Sequence, residues 1–217
     1  MEEKIEMNDV VYTINKNNGS CVDIDVKPGI EEVSFKNSCS SEYLLSSCKK
    51  VFPDVRKIGI YYGVSNIAIP NTLFPNVKEV ECNGSRFRRY TRNGNVLVKR
   101  NNMVQILTNT FIKKAAETID LKCVATIEND AFSGCMATKI INSQNVVKCK
   151  EHAFRNSAIG DLKPAQGGAV IAGSILVNID ETAENIIIPD KNVSLTTIRD
   201  GIDFTNVKSV TVNNVQT

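Results

Sequence analysis

The sequence predicts an α/β solenoid, in which a short parallel strand recurs every twenty-odd residues. A seven-residue phrase at Phe52–Ile58 (FPDVRKI) returns 22 residues later at Phe74–Val80 (FPNVKEV), and less closely at Phe204–Val210 (FTNVKSV). Apolar residues with the spacing of a half-buried strand follow the same period. Self-similarity of this kind is typical of solenoids, whose units bury their apolar faces only against their neighbours. We therefore expect one continuous domain over residues 1–217.

Each repeat contains an apolar residue, two variable residues, a second apolar residue and often a third two positions further on. The first apolar positions are Ile30, Val55, Val77, Ala116, Ala137, Ile159, Ala183 and Val207. Their spacing is 21 to 25 residues, except for a gap of 39 between Val77 and Ala116. Strands that recur in this way and run in one direction form a parallel sheet with crossovers on one side.

A second element precedes several of the predicted strands. Ile127–Phe132 matches Cys149–Phe154 at the same distance of 22 residues. We interpret it as a short helical or turn segment on the other side of the solenoid. Its alanine would allow close packing, and its phenylalanine would fill the interior.

Three segments depart from the period. Residues 86–108 fill the long gap and contain Asn93-Gly94, a strong signal for a tight hairpin turn, so we expect an inserted hairpin. A second excursion is predicted at 166–180. Residues 1–29 resemble a β-hairpin that caps the array, because an uncovered first strand would promote aggregation.

The phrase Ile127–Cys135 (IENDAFSGC), followed one unit later by Ala153-Phe154, resembles the BspA-type leucine-rich repeat. In that family, I-x-x-x-A-F-x-x-C precedes a strand and Ile-Pro often follows one, as at Ile69-Pro70 and Ile188-Pro189. The two phrases that open with Phe-Pro depart from the pattern, since no alanine precedes their phenylalanine. The resemblance extends from about Ile30 onward.

This resemblance implies a curved leucine-rich-repeat solenoid that acts by binding. Such repeats occur in cell-surface proteins of bacteria and of some parasitic protists, where adhesion is a frequent proposal. No catalytic residues come with the family. We therefore expect a non-catalytic module for protein–protein interaction, with adhesion at a cell surface as one form of it.

Composition sets further limits. The formal charge of +2 indicates no strong attraction to nucleic acid, and the absence of an apolar run near twenty residues argues against membrane insertion. The polar start shows no signal peptide, so the chain as given would be cytoplasmic, whereas the resemblance favours the cell surface or secretion. Both localisations stay open at this stage.

Residues suited to catalysis or metal binding are few. His152 is the single histidine, and the seven cysteines include no pair with CxxC spacing. Cys82 and Cys149 occupy apolar positions of the repeat and are expected to be small buried residues of a reduced protein. We predict no enzyme activity, no metal and no cofactor.

The variable residues of the strands are the predicted ligand-binding face. The candidates are Tyr61, Glu79, Glu81, Asp120, Lys139, Ile141 and Ile187. Exposed Tyr61, Ile141 and Ile187 would suit a protein contact, unless a hairpin or another chain covers them. Glu79, Glu81 and Asp120 are placed on neighbouring strands about 4.8 Å apart, which would also suit a polysaccharide-acting enzyme or a cation, or simply a solvated surface.

A basic run offers a second candidate surface. Its arginines are Arg86, Arg88, Arg89 and Arg92. Basic and aromatic residues in alternation can bind an anionic ligand such as an acidic glycan, although charges also protect a solvated strand edge. A third hypothesis is a structural spacer that only extends a larger repeat assembly.

Overall fold

The computed structural model describes residues 1–82, 90–93, 96–101, 104–111, 113–190 and 194–214. The chain forms a β-solenoid of about 8 turns built on parallel sheets, which confirms the predicted solenoid. The single helical element in the described residues is a 3-10 turn at Ser143–Asn145. The second element of the repeat is a turn around Ala131 and Ala153, since the positive φ of Asp130 (58°) and Gly134 (77°) interrupts any right-handed helix there.

Twenty strands make up the described structure. They are β1 (Glu2–Met7), β2 (Val10–Asn15), β3 (Cys21–Val26), β4 (Glu32–Phe35), β5 (Glu42–Leu44), β6 (Lys57–Ile60), β7 (Asn66–Ala68), β8 (Glu79–Cys82), β9 (Tyr90–Asn93), β10 (Val96–Asn101), β11 (Val104–Asn109), β12 (Thr118–Asp120), β13 (Val124–Ile127), β14 (Lys139–Ile141), β15 (Lys148–Cys149), β16 (Ala169–Ala172), β17 (Ile175–Ile179), β18 (Asn185–Asp190), β19 (Thr197–Ile198) and β20 (Ser209–Asn214).

The strands predicted from the repeat form three separate parallel sheets. These are β4-β6-β8, β12-β14 and β18-β20. Their registers align the repeat positions, as in Val33↔Ile58↔Val80 and Ile186↔Val210. A second series of parallel strands joins β3 to β5 and β7, and β11 to β13 and β15. Most coils therefore contribute to two strand series, of which the apolar spacing revealed only the first.

Antiparallel strands lie at the first coil and at the two excursions. β2 and β3 form a hairpin at the start, and β1, which the sequence pattern did not predict, pairs with the outer edge of β2. β16 and β17 form another antiparallel pair, within the segment of the second excursion. The predicted turn at Asn93-Gly94 lies partly outside the described residues, but β9 and β10 on its two sides are antiparallel.

The inserted strand β10 lies between two hydrophobic cores. Leu97 packs with the first core, which runs from the first strands to Val80 and includes Phe111. Its neighbours Val96 and Val98 pack with the second core, which extends from Leu107 to Val177. Successive side chains of a strand point to opposite faces, so one strand can serve as a wall between both cores.

Phenylalanine and alanine fill the interior as the repeat predicts. Phe132 and Phe154 are buried with ring centroids 4.5 Å apart, and Ala131 and Ala153 beside them are fully buried. Four predicted core positions are exposed. Ala116 lies in a turn before β12, where Lys113 is buried instead, and Leu162 lies in a stretch without a strand. Val210 and Val212 lie on β20, the outermost strand of its sheet.

All seven cysteines lie in described residues and are free thiols. Cys149 is fully buried, as expected, and burial raises the pKa of its thiol to about 12. Cys82 is only half-buried, because β8 lies at the edge of its sheet.

Candidate functional site

A groove of about 700 Å³ opens at the inserted strands, between the sheets β1-β2-β3-β5-β7 and β15-β13-β11-β10-β9. One side is formed by β7 and the turn that follows it, and the other by β10, β11 and the turn after β13. The lining residues that matter for its chemistry are Asn66, Ile69, Asn71, Thr72, Lys99, Ile106, Asn109, Glu128, Asp130 and Arg155. We call this surface the junction groove.

Two asparagines fix the floor of the junction groove. Asn71 is buried, and its Nδ2 donates to the carbonyl oxygens of Asp130 (3.0 Å) and Ala131 (3.2 Å). Asn109 Nδ2 donates to the carbonyl oxygen of Ile69 at 2.8 Å. These bonds tie the first half of the solenoid to the second, so the groove is part of a rigid scaffold.

The same asparagines hold an unusual backbone conformation. The N–H of Phe111 donates to Asn71 Oδ1 (3.0 Å) and to Asn109 Oδ1 (2.6 Å). Phe111 has φ of 54°, a left-handed conformation that a bulky residue rarely adopts. Its ring is fully buried in the first core. The asparagine amides are therefore used by the scaffold, although they line the groove.

Charged groups of both signs stand around the groove. Arg155 forms a bidentate ion pair with Asp130, with Nε–Oδ1 and Nη2–Oδ2 distances of 2.9 and 2.8 Å. Lys99 Nζ lies 3.4 Å from Asn66 Oδ1 on the opposite side. Glu128 adds a carboxylate, and Ile69 and Ile106 add apolar surface. The groove thus offers charge, hydrogen bonds and apolar contact to one ligand.

The predicted carboxylates of the strand face are arranged differently from the prediction. Glu79 and Glu81 lie in β8 and Asp120 in β12, but β8 and β12 belong to separate sheets and do not pair. The expectation that all three share neighbouring strands is therefore wrong. The reason is the 39-residue gap, whose inserted strands separate the two repeats.

The carboxylates of the first sheet are engaged by a lysine. Lys57 Nζ lies 2.7 Å from Glu81 Oε2 and 3.6 Å from Glu32 Oε2, so it links three adjacent strands. The hydrogen bond with Glu81 raises the pKa of Lys57 above its ordinary value. In the second sheet, Asp120 accepts a hydrogen bond from Asn142 Nδ2 at 3.0 Å.

Tyr61 does not project freely from the strand face. Its ring lies against Gly59, where an added Cβ would come within 2.9 Å of Tyr61 Cε2, and Lys36 Nζ is 4.9 Å from the ring centroid. Glycine at this position lets the ring fold back onto the sheet. Tyr61 is consequently half-buried and less available for a partner than the sequence indicated.

The other predicted contact residues are exposed but distributed. Lys139 and Ile141 lie in β14 and Ile187 in β18, which are in different sheets. Arg86, Arg88 and Arg89 lie outside the described residues, and for Arg92 in β9 only the backbone is described. His152 is exposed, and its backbone N–H donates to Asn129 Oδ1 at 3.1 Å.

Sequence reasoning missed the junction groove. Its position was signalled by the 39-residue gap, but its lining comes from residues outside the apolar repeat positions. Within the described ranges, no group of three His, Cys, Asp or Glu side chains is suited to hold a metal ion. No helix among the described residues is long and apolar enough to cross a membrane.

Comparison with protein-family models, with curated proteins and with solved structures gives no match. The geometry of the chain itself is therefore the basis for assigning a function.

Proposed function

We propose that this protein is a non-catalytic leucine-rich-repeat binding module whose junction groove receives a segment of a partner protein. The observation that supports it is the groove itself, a concave site whose floor is fixed by buried hydrogen bonds from Asn71 and Asn109. A volume of about 700 Å³ lies within the range of pre-formed ligand sites. A rigid site loses little conformational entropy when a ligand binds.

The mixed chemistry of the groove favours a peptide segment. Lys99 on β10 and Glu128 after β13 can meet opposite charges on the same ligand, while Ile106 offers apolar contact. Thr72 is exposed at the rim and can hydrogen-bond to a peptide backbone. An extended peptide presents charged, polar and apolar groups together, which is what this lining complements.

Binding without catalysis is favoured by the state of the carboxylates. Asp130, one of the two acidic residues that line the groove, is paired with Arg155, and Glu81 of the strand face is paired with Lys57. A general acid or base must be able to reach the substrate and exchange a proton with it. Carboxylates already engaged by cations serve better to position other groups than to transfer protons.

The groove can be tested with a random peptide library displayed on phage and selected on the immobilised full chain. Affinities of selected peptides are then measured by fluorescence anisotropy for wild type, Thr72→Arg and Thr138→Arg. Both threonines are exposed, but only Thr72 lines the groove. We expect Thr72→Arg to weaken binding at least about tenfold and Thr138→Arg to leave it unchanged.

Equal binding by the two variants would contradict the groove as the site. A parallel panel of immobilised neutral and acidic polysaccharides tests the alternative of a glycan-binding or polysaccharide-acting protein. Polysaccharide capture that Thr72→Arg abolishes, without any selected peptide, would replace the peptide proposal. Open-ended assembly without ligand binding would favour the structural spacer.

The strand face is a second candidate surface for a protein partner. Ile141 and Ile187 are large, apolar and exposed. Each directly follows the buried second apolar residue of its repeat, Ile140 or Ile186, and therefore points to the opposite face of the strand. Their joint replacement by aspartate should leave peptide binding in the groove unchanged. A partner whose capture is lost only in this variant would assign the face to a separate contact, such as adhesion.

A further inference from the structure

A second concave site, of about 400 Å³, lies between the coil that precedes the inserted strands and the coil that follows them. Its lining includes Arg56, Asn76, Val77, Lys78, Lys114 and Glu117, and we call it the basic cleft. The basic cleft shares no lining residue with the junction groove. We propose that it binds a phosphate group.

The lining of the basic cleft carries more positive than negative charge. Three cationic side chains, Arg56, Lys78 and Lys114, against one carboxylate, Glu117, leave an excess of two positive charges. Within the part of the chain that the structure describes, none of the three cations forms an ion pair. Glu117 is already engaged, since its Oε2 accepts a hydrogen bond from the N–H of Lys114 at 2.6 Å. A phosphate monoester, with a charge of about −1.5 to −2 near neutral pH, matches this excess.

The repeat places two of these cations where it places an ion pair elsewhere. Arg56 and Lys78 occupy the same position in successive coils, and the N–H of Lys78 donates to the carbonyl oxygen of Arg56 at 2.8 Å. At the equivalent step of the last coils, the N–H of Lys208 donates to the carbonyl oxygen of Glu184 at 2.7 Å. There the two side chains form an ion pair, with Lys208 Nζ 2.7 Å from Glu184 Oε1. Neighbouring like charges are destabilising, so the pair at the basic cleft has a local cost that a bound anion would remove.

Arg56 is held in a position suited to an anion. Its side chain is half-buried, and its Nη1 donates to the carbonyl oxygen of Pro53 at 3.0 Å. Asn76 Nδ2 donates to the same oxygen at 2.9 Å, so both side chains are fixed by one acceptor. A guanidinium group has further N–H donors, and its planar shape fits two oxygens of a phosphate group. Arg56 therefore gives the site direction, while the two lysines add charge.

The basic cleft is accessible from solvent on its lysine side. Lys78 and Lys114 are both exposed, whereas Arg56 lies deeper. A phosphate group that is attached to a larger molecule can therefore enter as well as the free anion. Both sources present the same oxygens to the same three cations, and only the experiment separates them.

Isothermal titration calorimetry of the full chain at constant ionic strength tests the proposal. The ligands are inorganic phosphate and a short phosphoserine peptide with blocked ends. Wild type should bind inorganic phosphate saturably, and Lys78→Glu and Arg56→Gln should each weaken binding at least about tenfold. Lys163→Glu is the matched control, because it makes the same change of charge at an exposed lysine outside the cleft, and it should bind as wild type. Binding of the peptide in addition to phosphate would identify a phosphomonoester as the source, and binding of inorganic phosphate alone would identify the free anion.

Urea denaturation separates a lost site from a damaged fold. Lys78→Glu places a carboxylate next to Arg56, as in the pair of Glu184 and Lys208, so its urea midpoint without phosphate should be higher than that of wild type. Phosphate should raise the midpoint of wild type but not that of Lys78→Glu, since only a bound ligand stabilises the folded chain.

Four results would overturn the proposal. They are the absence of saturable phosphate binding, an equal loss of affinity in Lys78→Glu and Lys163→Glu, a lower urea midpoint for Lys78→Glu without phosphate, and an equal rise in the wild-type midpoint with chloride at the same ionic strength. The last result would show that general screening of the three cations, and not a bound phosphate group, relieves their repulsion.

Discussion

The same phrase occurs in two coils with very different burial. In a middle coil, Phe74 and Val80 are fully buried. In the last coil, Phe204 and Val210 stand at the equivalent positions and are 37% and 48% exposed. The same seven-residue phrase therefore contributes to the hydrophobic core in the middle coil and to an exposed apolar surface in the last coil.

The local structure of the two coils is nevertheless alike. Asn76 Nδ2 donates to the carbonyl oxygen of Pro53 at 2.9 Å, and Asn206 Nδ2 donates to that of Glu181 at 3.0 Å. In each case the amide reaches back to the preceding coil. The phrase thus specifies a turn and its attachment to the coil before it, whereas burial depends on the presence of a coil after it, as expected for a one-dimensional array.

The largest effect should come from truncating the phenylalanine of the phrase. Phe74→Ala removes a ring that lies near Phe35 and Phe52 (centroid distances 6.4 and 6.1 Å), and leaves a cavity. We expect a loss of about 3–5 kcal/mol in the free energy of unfolding, measured by urea denaturation. Phe204→Ala, its matched control, should cost about 1–2 kcal/mol, because its ring is already 37% exposed. Equal losses would show that the last coil is as well packed as the middle ones.

The repeat made the regular coils predictable from sequence. The period located β4, β6, β8, β12, β14, β18 and β20, because these strands share one apolar spacing, although the valines of β20 stay exposed. Phe132 and Phe154 were placed correctly for the same reason: a repeated aromatic residue at one position has to stack in register.

The junction groove could not be predicted in the same way. Asn71 and Asn109 act through backbone groups that become neighbours only when the inserted strands have folded. Tyr61 was misjudged because its contact with Gly59 depends on the direction of one ring. Local spacing carries no information about such contacts, although the 39-residue gap indicated where regular stacking ends.

Asn71 offers a sharper test of what links one coil to the next. It lies in the same coil as Asn76, but it is buried and bonds to the following half, whereas Asn76 bonds back to the preceding coil at the surface. Asn71→Ala removes its hydrogen bonds to the carbonyl oxygens of Asp130 and Ala131 and one acceptor for the Phe111 N–H. The loss of three hydrogen bonds at a buried side chain should cost about 1–3 kcal/mol.

Asn76→Ala is the control and should cost about 0.5–1 kcal/mol, since water can replace an exposed hydrogen bond. Urea denaturation gives both values, and hydrogen exchange at the Phe111 amide should accelerate only in the Asn71 variant. A larger loss in the Asn76 variant would mean that attachment to the preceding coil dominates at this position.

The smallest change in stability at neutral pH is expected at a buried lysine in a middle coil. Lys113 is buried, and its Nζ is the one buried side-chain nitrogen or oxygen without a hydrogen-bond partner in the described residues. Burial lowers the pKa of Lys113 below its ordinary value of 10.5, against the opposing effects of Glu117 and Cys135. Lys113→Met should therefore raise the free energy of unfolding, because it removes the buried amine while keeping the length of the side chain.

The advantage of Lys113→Met should shrink as the pH rises. Below the lowered pKa, the lysine is charged in both the folded and the unfolded chain, and its burial destabilises the fold fully. Above that pKa the folded chain has lost the proton while the unfolded chain still binds it, so wild-type stability rises with pH until about 10.5, by at most about 1.4 kcal/mol per pH unit. Urea denaturation at increasing pH should show the two curves converging. Lys114→Met, at the exposed neighbour, is the control, and its free energy of unfolding should not converge with that of wild type as the pH rises. If the difference in free energy of unfolding between Lys113→Met and wild type stayed constant with pH, the amine of Lys113 would remain charged in the folded protein.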